Sequence, residues 1–189
     1  MSEKEKSLAG QLYQPGDAAL TAERDVTIQK LYDYNHLHPL QRSERAAALA
    51  DLLGGVGKGC VIEQPLFTTY GSNTTVGDNF FMNVNGRLMD SGRITIGDNV
   101  FIAPDCALIT ELHSQNVPER IQGLEYTRPI TIADNVWLGT GVKVLPGVTI
   151  GRNTVIGAGS VVTHDVPANV MAAGVPCRVI REVAPEDRA

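Results

Sequence analysis

Aliphatic residues at Ile132, Leu138, Val144, Ile150, Ile156 and Val162 recur with an unbroken spacing of six. The runs between them, such as LGTGVK, VLPGVT and IGRNTV, each join a short β-branched stretch to Gly, Asn or Pro. A helix repeats every 3.6 residues and a simple strand every two, so neither explains a strict period of six. One short strand plus one turn does explain it. Every sixth side chain then points into the axis of a triangular β-solenoid, and three hexads close one coil. A single coil cannot bury its apolar interior alone, so coils must stack.

The spacing extends upstream less regularly. It begins faintly at Val56 and Ile62 and returns at Val76 and Met82. Two extra residues intervene after Leu88, and the register restarts at Ile96, Phe101 and Ile102 and continues to Leu108. The segment 109–129 breaks the pattern, although Leu108 and Ile132 remain a multiple of six apart. A loop that long on a solenoid is expected to serve function. After Val162, two prolines stop coil propagation, and VPCRVIREV is expected to form a last strand over the open end.

Residues 1–55 differ in character. Thr21 is expected to cap a helix with Val26, Leu31 and Tyr34 inward, and Ser43 a second helix ended by Gly54–Gly55. The organisation is therefore a helical cap over 1–55, a solenoid over 56–183 with a loop at 109–129, and a frayed tail at 184–189. Net charge of −5 argues against a nucleic-acid surface. No apolar run reaches the roughly 20 residues of a membrane helix, and MSEKEKSLAG has no apolar secretory core. Cys60, Cys106 and Cys177 are far apart and odd in number, which fits buried thiols in a reducing cytoplasm.

The catalytic menu is short. Of four histidines, only His113 sits in the extruded loop, and imidazole is suited to moving protons near neutral pH. His36 and His38 have no third ligand nearby, so no metal is expected. GVGKG at 55–59 lacks phosphate-loop spacing and reads as a turn.

The hexads, His113 and the ending from PITIADNVW to VPCRVIRE resemble the maltose/galactoside O-acetyltransferases, a family of hexapeptide-repeat acyltransferases. AGQLYQPGDAAL and LYDYNHLHP are similar to that family's helical cap. The resemblance implies a mainly β, left-handed parallel β-helix. The hand comes from the resemblance alone, because parallel crossovers are right-handed in about 98% of cases. It implies a cytoplasmic homotrimer that uses acetyl-CoA, with His113 as general base and Asn83 at the acceptor and transition state. Thr140, Ala158 and Thr163 stand where the family lines the pantetheine arm; Arg178 and Arg181 stand where it meets the phosphates. His164 replaces a usual lysine there. Trp137 matches a tryptophan beside the site.

The acceptor side departs further. Thr69, Phe81 and Ser91 stand where the family often has a serine, a tyrosine and an aspartate, with Asp90 adjacent to the last. Pro15 replaces an acidic residue, with Asp17 as its possible substitute, and Ser114 replaces a proline after the histidine. The expected function is acetyl transfer to a sugar hydroxyl. The alternatives are acyl transfer to a non-sugar or amino acceptor, or a non-catalytic trimeric binding protein. A zinc enzyme of the carbonic anhydrase type needs three converging histidines, and only His113 and His164 lie in the solenoid.

Overall fold

In the computed structural model, residues 1–184 are described, so the tail beyond Ala184 lies outside the described residues. Among the described residues, three sheets of five, seven and five strands form the faces of a triangular prism. The first face contains Gly55–Val56, Thr74–Val76, Ile94–Ile96, Ile130–Ile132 and Thr149–Ile150. The second runs from Val61–Ile62 through Phe81–Met82, Phe101–Ile102, Trp137–Leu138 and Val155–Ile156 to Val170–Ala173 and Arg178–Glu182. The third holds Leu66–Thr68, Gly86–Met89, Ala107–Ile109, Lys143–Val144 and Val161–Val162. All pairings on these faces are parallel except the last, where Arg178–Glu182 runs antiparallel to Val170–Ala173 and covers the end.

The six-residue positions build the interior. Leu138, Val144, Ile150, Ile156 and Val162 are each 0% exposed. Burying such a side chain contributes about 1.5–3 kcal/mol. At the edge joining the first and second faces, the amides of Asn79, Asn99, Asn135, Asn153 and Asn169 form a ladder, each Nδ2 donating to the next Oδ1 at 2.7–3.2 Å. Each of these asparagines has positive φ, a conformation asparagine tolerates better than most residues. The turn residue and the coil-to-coil bond are thus one choice of side chain.

The extra residues after Leu88 widen a corner. The partners Val56, Val76 and Ile96 show that the early coils are two residues longer than the coil from Ile132 to Ile150. The surplus sits where the third face turns into the first, at 69–73 and again at 90–93. In the third coil the same edge lets out the whole 110–129 excursion. That segment is ordered: Glu111–His113 pairs antiparallel with Glu125–Thr127, and a short helix lies between them.

The N-terminal segment contains helices α1 (Glu3–Leu8), α2 (Ala18–His36) and α3 (Arg42–Leu52). The sequence signals misplace their starts. Asp17, not Thr21, caps α2, its Oδ1 accepting from the amides of Ala19 and Leu20. Gln41, not Ser43, precedes α3 and makes no side-chain cap bond. Tyr34 is buried as expected and donates to the Ile62 carbonyl at 2.5 Å, whereas Val26 is 57% exposed. No described helix is long and apolar enough to cross a membrane.

Candidate active site

His113 ends the outgoing hairpin strand, directly opposite Glu125 on the returning one. Its side chain is 59% exposed, and Nε2 lies 3.7 Å from Glu125 Oε1. That is ion-pair distance, longer than a hydrogen bond. The other carboxylate oxygen, Oε2, accepts from the Tyr13 hydroxyl at 2.8 Å. Tyr13 and Glu125 also exchange both backbone hydrogen bonds, at 3.0 and 3.1 Å. The cap thereby adds one residue of sheet to the hairpin. Burial and then the bond to Glu125 push the Tyr13 phenol well above the usual tyrosine range, so it stays a donor.

Glu111 lies two residues before His113, on the same side of the strand. Its carboxyl is pushed up to about 7, mainly by burial, with the nearby Glu125 charge adding to the rise. Ser114, buried next to His113, donates to Glu119 and accepts from the Asn116 amide. A cleft of about 660 Å³ opens beside the imidazole, lined by Gly10, Ser114, Glu119, Tyr126 and Arg128 among others.

Thr69, Asp90 and Ser91 belong to the same wide-corner edge as the hairpin, but they stand inward. The Thr69 hydroxyl is buried without a hydrogen-bond partner among the described residues. Ser91 is 6% exposed, and its carbonyl accepts from Ser7 of the cap at 2.9 Å. Asp90, which the resemblance puts beside an acceptor, is fully buried. Its carboxylate accepts from Thr68, Thr74 and the amides of Tyr70, Gly71 and Asn73. Those five donors occupy it, so Asp90 braces the corner that carries Thr69. Asp17 is likewise engaged as the cap of α2.

Asn83 stands on a different edge, between the second and third faces. Its Oδ1 accepts from the Val84 amide at 2.8 Å, which leaves Nδ2 without a partner among the described residues. With Phe81, Phe101, Ala103 and Trp137 it lines a shallow cleft of about 450 Å³. Thr140 and Ala158 follow on the same edge in later coils, both exposed, linked by the Gly159 amide donating to the Thr140 carbonyl at 2.8 Å. A Cβ at Gly139 would meet the Ala158 nitrogen at 2.7 Å, so the wall there is bare backbone. Thr163 bonds His164 Nδ1 at 2.8 Å, and His164 and Arg178 share a cleft of about 350 Å³. Arg181 is exposed on the last strand. Within one chain, then, His113 and Asn83 line separate clefts on separate edges.

Sequence reasoning missed Glu125 and the role of Tyr13. The signal available for Glu125 was the pair ELH and EYT on either side of a polar stretch, which reads as a hairpin once both are seen as strands.

A prism of hexapeptide coils with a histidine on an extruded hairpin defines a hexapeptide-repeat transferase. Residues 129–164 match the bacterial transferase hexapeptide model (six repeats), and residues 6–57 match the maltose acetyltransferase hexapeptide capping motif. The galactoside O-acetyltransferase of Escherichia coli K12 is 44% identical over 97% of this chain and 91% of its own length. A maltose O-acetyltransferase from Clostridium difficile 630 superposes with TM-score 0.96 at 43% identity, over 97% of this chain and 98% of the other. A galactoside acetyltransferase in complex with coenzyme A does so with TM-score 0.95 at 43% identity, over 99% and 94%. The chain belongs to the maltose/galactoside O-acetyltransferase family and has its left-handed parallel β-helix. It is an acetyltransferase.

Proposed function

We propose that the protein moves an acetyl group from acetyl-CoA to a hydroxyl of a small sugar, with His113 as the base. The observation that carries this reading is the His113–Glu125 pair, held on an ordered hairpin at the mouth of a cleft. With Nε2 turned to Glu125, Nδ1 is the nitrogen left to accept a proton. His113 takes the proton from the acceptor hydroxyl as its oxygen attacks, and Glu125 stabilises the resulting imidazolium. Acetyl-CoA supplies an acetyl group activated as a thioester. Asn83 Nδ2 donates to the oxyanion that develops at the carbonyl, and His113 returns its proton to the departing sulfur.

The donor set fits a CoA. Thr140, Ala158 and Thr163 lie along the arm, the first two exposed, while Arg178 and Arg181, with His164 beside them, supply cationic and polar groups for phosphates. Acceptor contacts fall to Thr69, Phe81, Ser91 and Trp137, with Asp17 standing in for the acidic residue that Pro15 replaces. The relatives named for galactoside and maltose support a sugar as the acceptor.

The site requires a second copy. His113 and Asn83 lie on different edges of one prism, so they can meet only between subunits, and three copies would close such contacts by symmetry. The second face supports this. Val61, Phe81, Phe101 and Trp137 stack in register along its outside, and Val61, Phe101 and Trp137 are 42%, 51% and 48% exposed. An apolar ladder of that kind is a surface for burial. A reducing cytoplasm, where free thiols persist, is the compartment this reading implies.

The test is release of CoA thiol from acetyl-CoA with a panel of galactosides, maltose, glucose, simple alcohols and amino sugars. Turnover with at least one sugar hydroxyl is expected. Turnover with amines alone would contradict the acceptor class, and a scattering mass near the 20.3 kDa of one chain would contradict the trimer.

A further inference from the structure

The N-terminal cap reaches into the site through one side chain. Tyr13 is 2% exposed, and it clusters with Leu20 of α2 and Tyr70 of the wide corner. Tyr70 is itself tied to α2 by Arg24, which donates to its hydroxyl at 2.8 Å. The Tyr13 ring therefore has a fixed seat, built jointly by the cap and the solenoid. From that seat its backbone pairs with Glu125, and its hydroxyl donates to Glu125 Oε2. Three bonds converge on a single residue, the one whose other oxygen faces His113.

We infer that Tyr13 is a positioning residue for the base: by fixing one oxygen of Glu125 it aims the other at His113. This rests on the reading of His113 as the base. A free glutamate side chain samples several rotamers, and a carboxylate that swings away stabilises neither the orientation nor the charge of an imidazolium. The Tyr13 bond selects one rotamer. The charged and titratable groups around Glu125 are Tyr13 from the cap, Tyr70 from the corner, and Glu111 and His113 from the opposing strand. Of these, Tyr13 alone has a side-chain hydrogen bond to the carboxylate. The cap is thereby part of the catalytic apparatus as well as a cover for the first coil.

The test is a double-mutant cycle on the intact protein with acetyl-CoA and its best acceptor, using Tyr13→Phe, Glu125→Gln and the pair. Tyr13→Phe keeps the ring in its seat and removes only the hydroxyl. It should lower kcat about 10- to 100-fold, the cost of misaiming a catalytic group, with acceptor KM within about twofold of wild type. The acid limb of its pH–rate profile should move. In the Glu125→Gln background, the same substitution should cost little more, because the residue it positions is already lost. Losses that multiply would show that Tyr13 acts elsewhere, and an unchanged kcat with an unchanged limb would also overturn the proposal. His113→Ala separates the two claims: if it is inactive while Tyr13→Phe is normal, only the role of Tyr13 falls. If His113→Ala keeps full activity, both fall.

Discussion

Glu125 Oε1 stands 3.7 Å from His113 Nε2, on the residue directly across the hairpin. A cross-strand partner holds its distance as long as the ladder holds, so the pair is set by backbone register. The separation leaves room to tighten when a substrate enters, as sites without substrate often do. Glu125→Gln keeps the shape and removes the charge that would stabilise an imidazolium. It should lower kcat by about 10²-fold while acetyl-CoA binding stays near wild type, measured by steady-state kinetics and calorimetry. A kcat within twofold of wild type would remove Glu125 from the mechanism.

Glu111 gives the hairpin a pH-dependent stability. Its carboxyl titrates at about 7 in the fold against an ordinary value of 4.5, chiefly because burial disfavours the charge. The folded state therefore keeps a proton that the unfolded chain gives up. The associated stability is fully present below about 4.5 and is lost as pH rises through about 7. The full effect is no more than about 3 kcal/mol, less where water reaches the group. Thermal melts of wild type and Glu111→Gln should diverge between pH 5 and pH 8, the variant being the more stable at pH 8. Parallel curves would show that the carboxyl ionises without penalty.

Asp90 should behave as a structural residue. Removing its carboxylate strands the donors of Thr68, Tyr70, Gly71, Asn73 and Thr74 in a buried corner. Asp90→Ala should cost roughly 3 kcal/mol or more, or a fall of about 10 °C in melting temperature for a chain of this size. A loss under about 1 kcal/mol, with a raised acceptor KM instead, would return Asp90 to the acceptor site.

The hexads were legible because a period of six leaves one inward position per strand, and Leu138 to Val162 occupy it without exception. The two surplus residues after Leu88 were legible as a count, but not as a wide corner latched by Asp90. That latch joins donors at 68–74 to an acceptor at 90, and only coil stacking brings them together. The start of α2 went to Asp17 because its carboxylate reaches two free amides, a choice that Thr21 obscures in a list of good capping residues. His113 stood out as a lone histidine in a loop. Glu125 did not, because its value depends on pairing across the hairpin, and Tyr13 lies 112 residues from it in sequence.

The proposed sharing of the site between subunits predicts complementation. His113→Ala and Asn83→Ala should each be nearly inactive on their own, since losing a general base costs about 10²- to 10⁴-fold and losing an oxyanion donor about 10²- to 10³-fold. Co-expressed with different tags and purified as mixed trimers, the two should regain activity, because one interface then joins an intact His113 to an intact Asn83. Mixed trimers no more active than their parents would place both residues in one subunit's site, or in none.

Whether His113 moves the proton is read from CoA thiol release by His113→Ala beside wild type, with acetyl-CoA binding measured on the same samples. A general base contributes about 10²- to 10⁴-fold. The variant should bind acetyl-CoA as wild type does and lose at least about 10²-fold in kcat. Equal turnover by the two proteins would show that His113 is not the base.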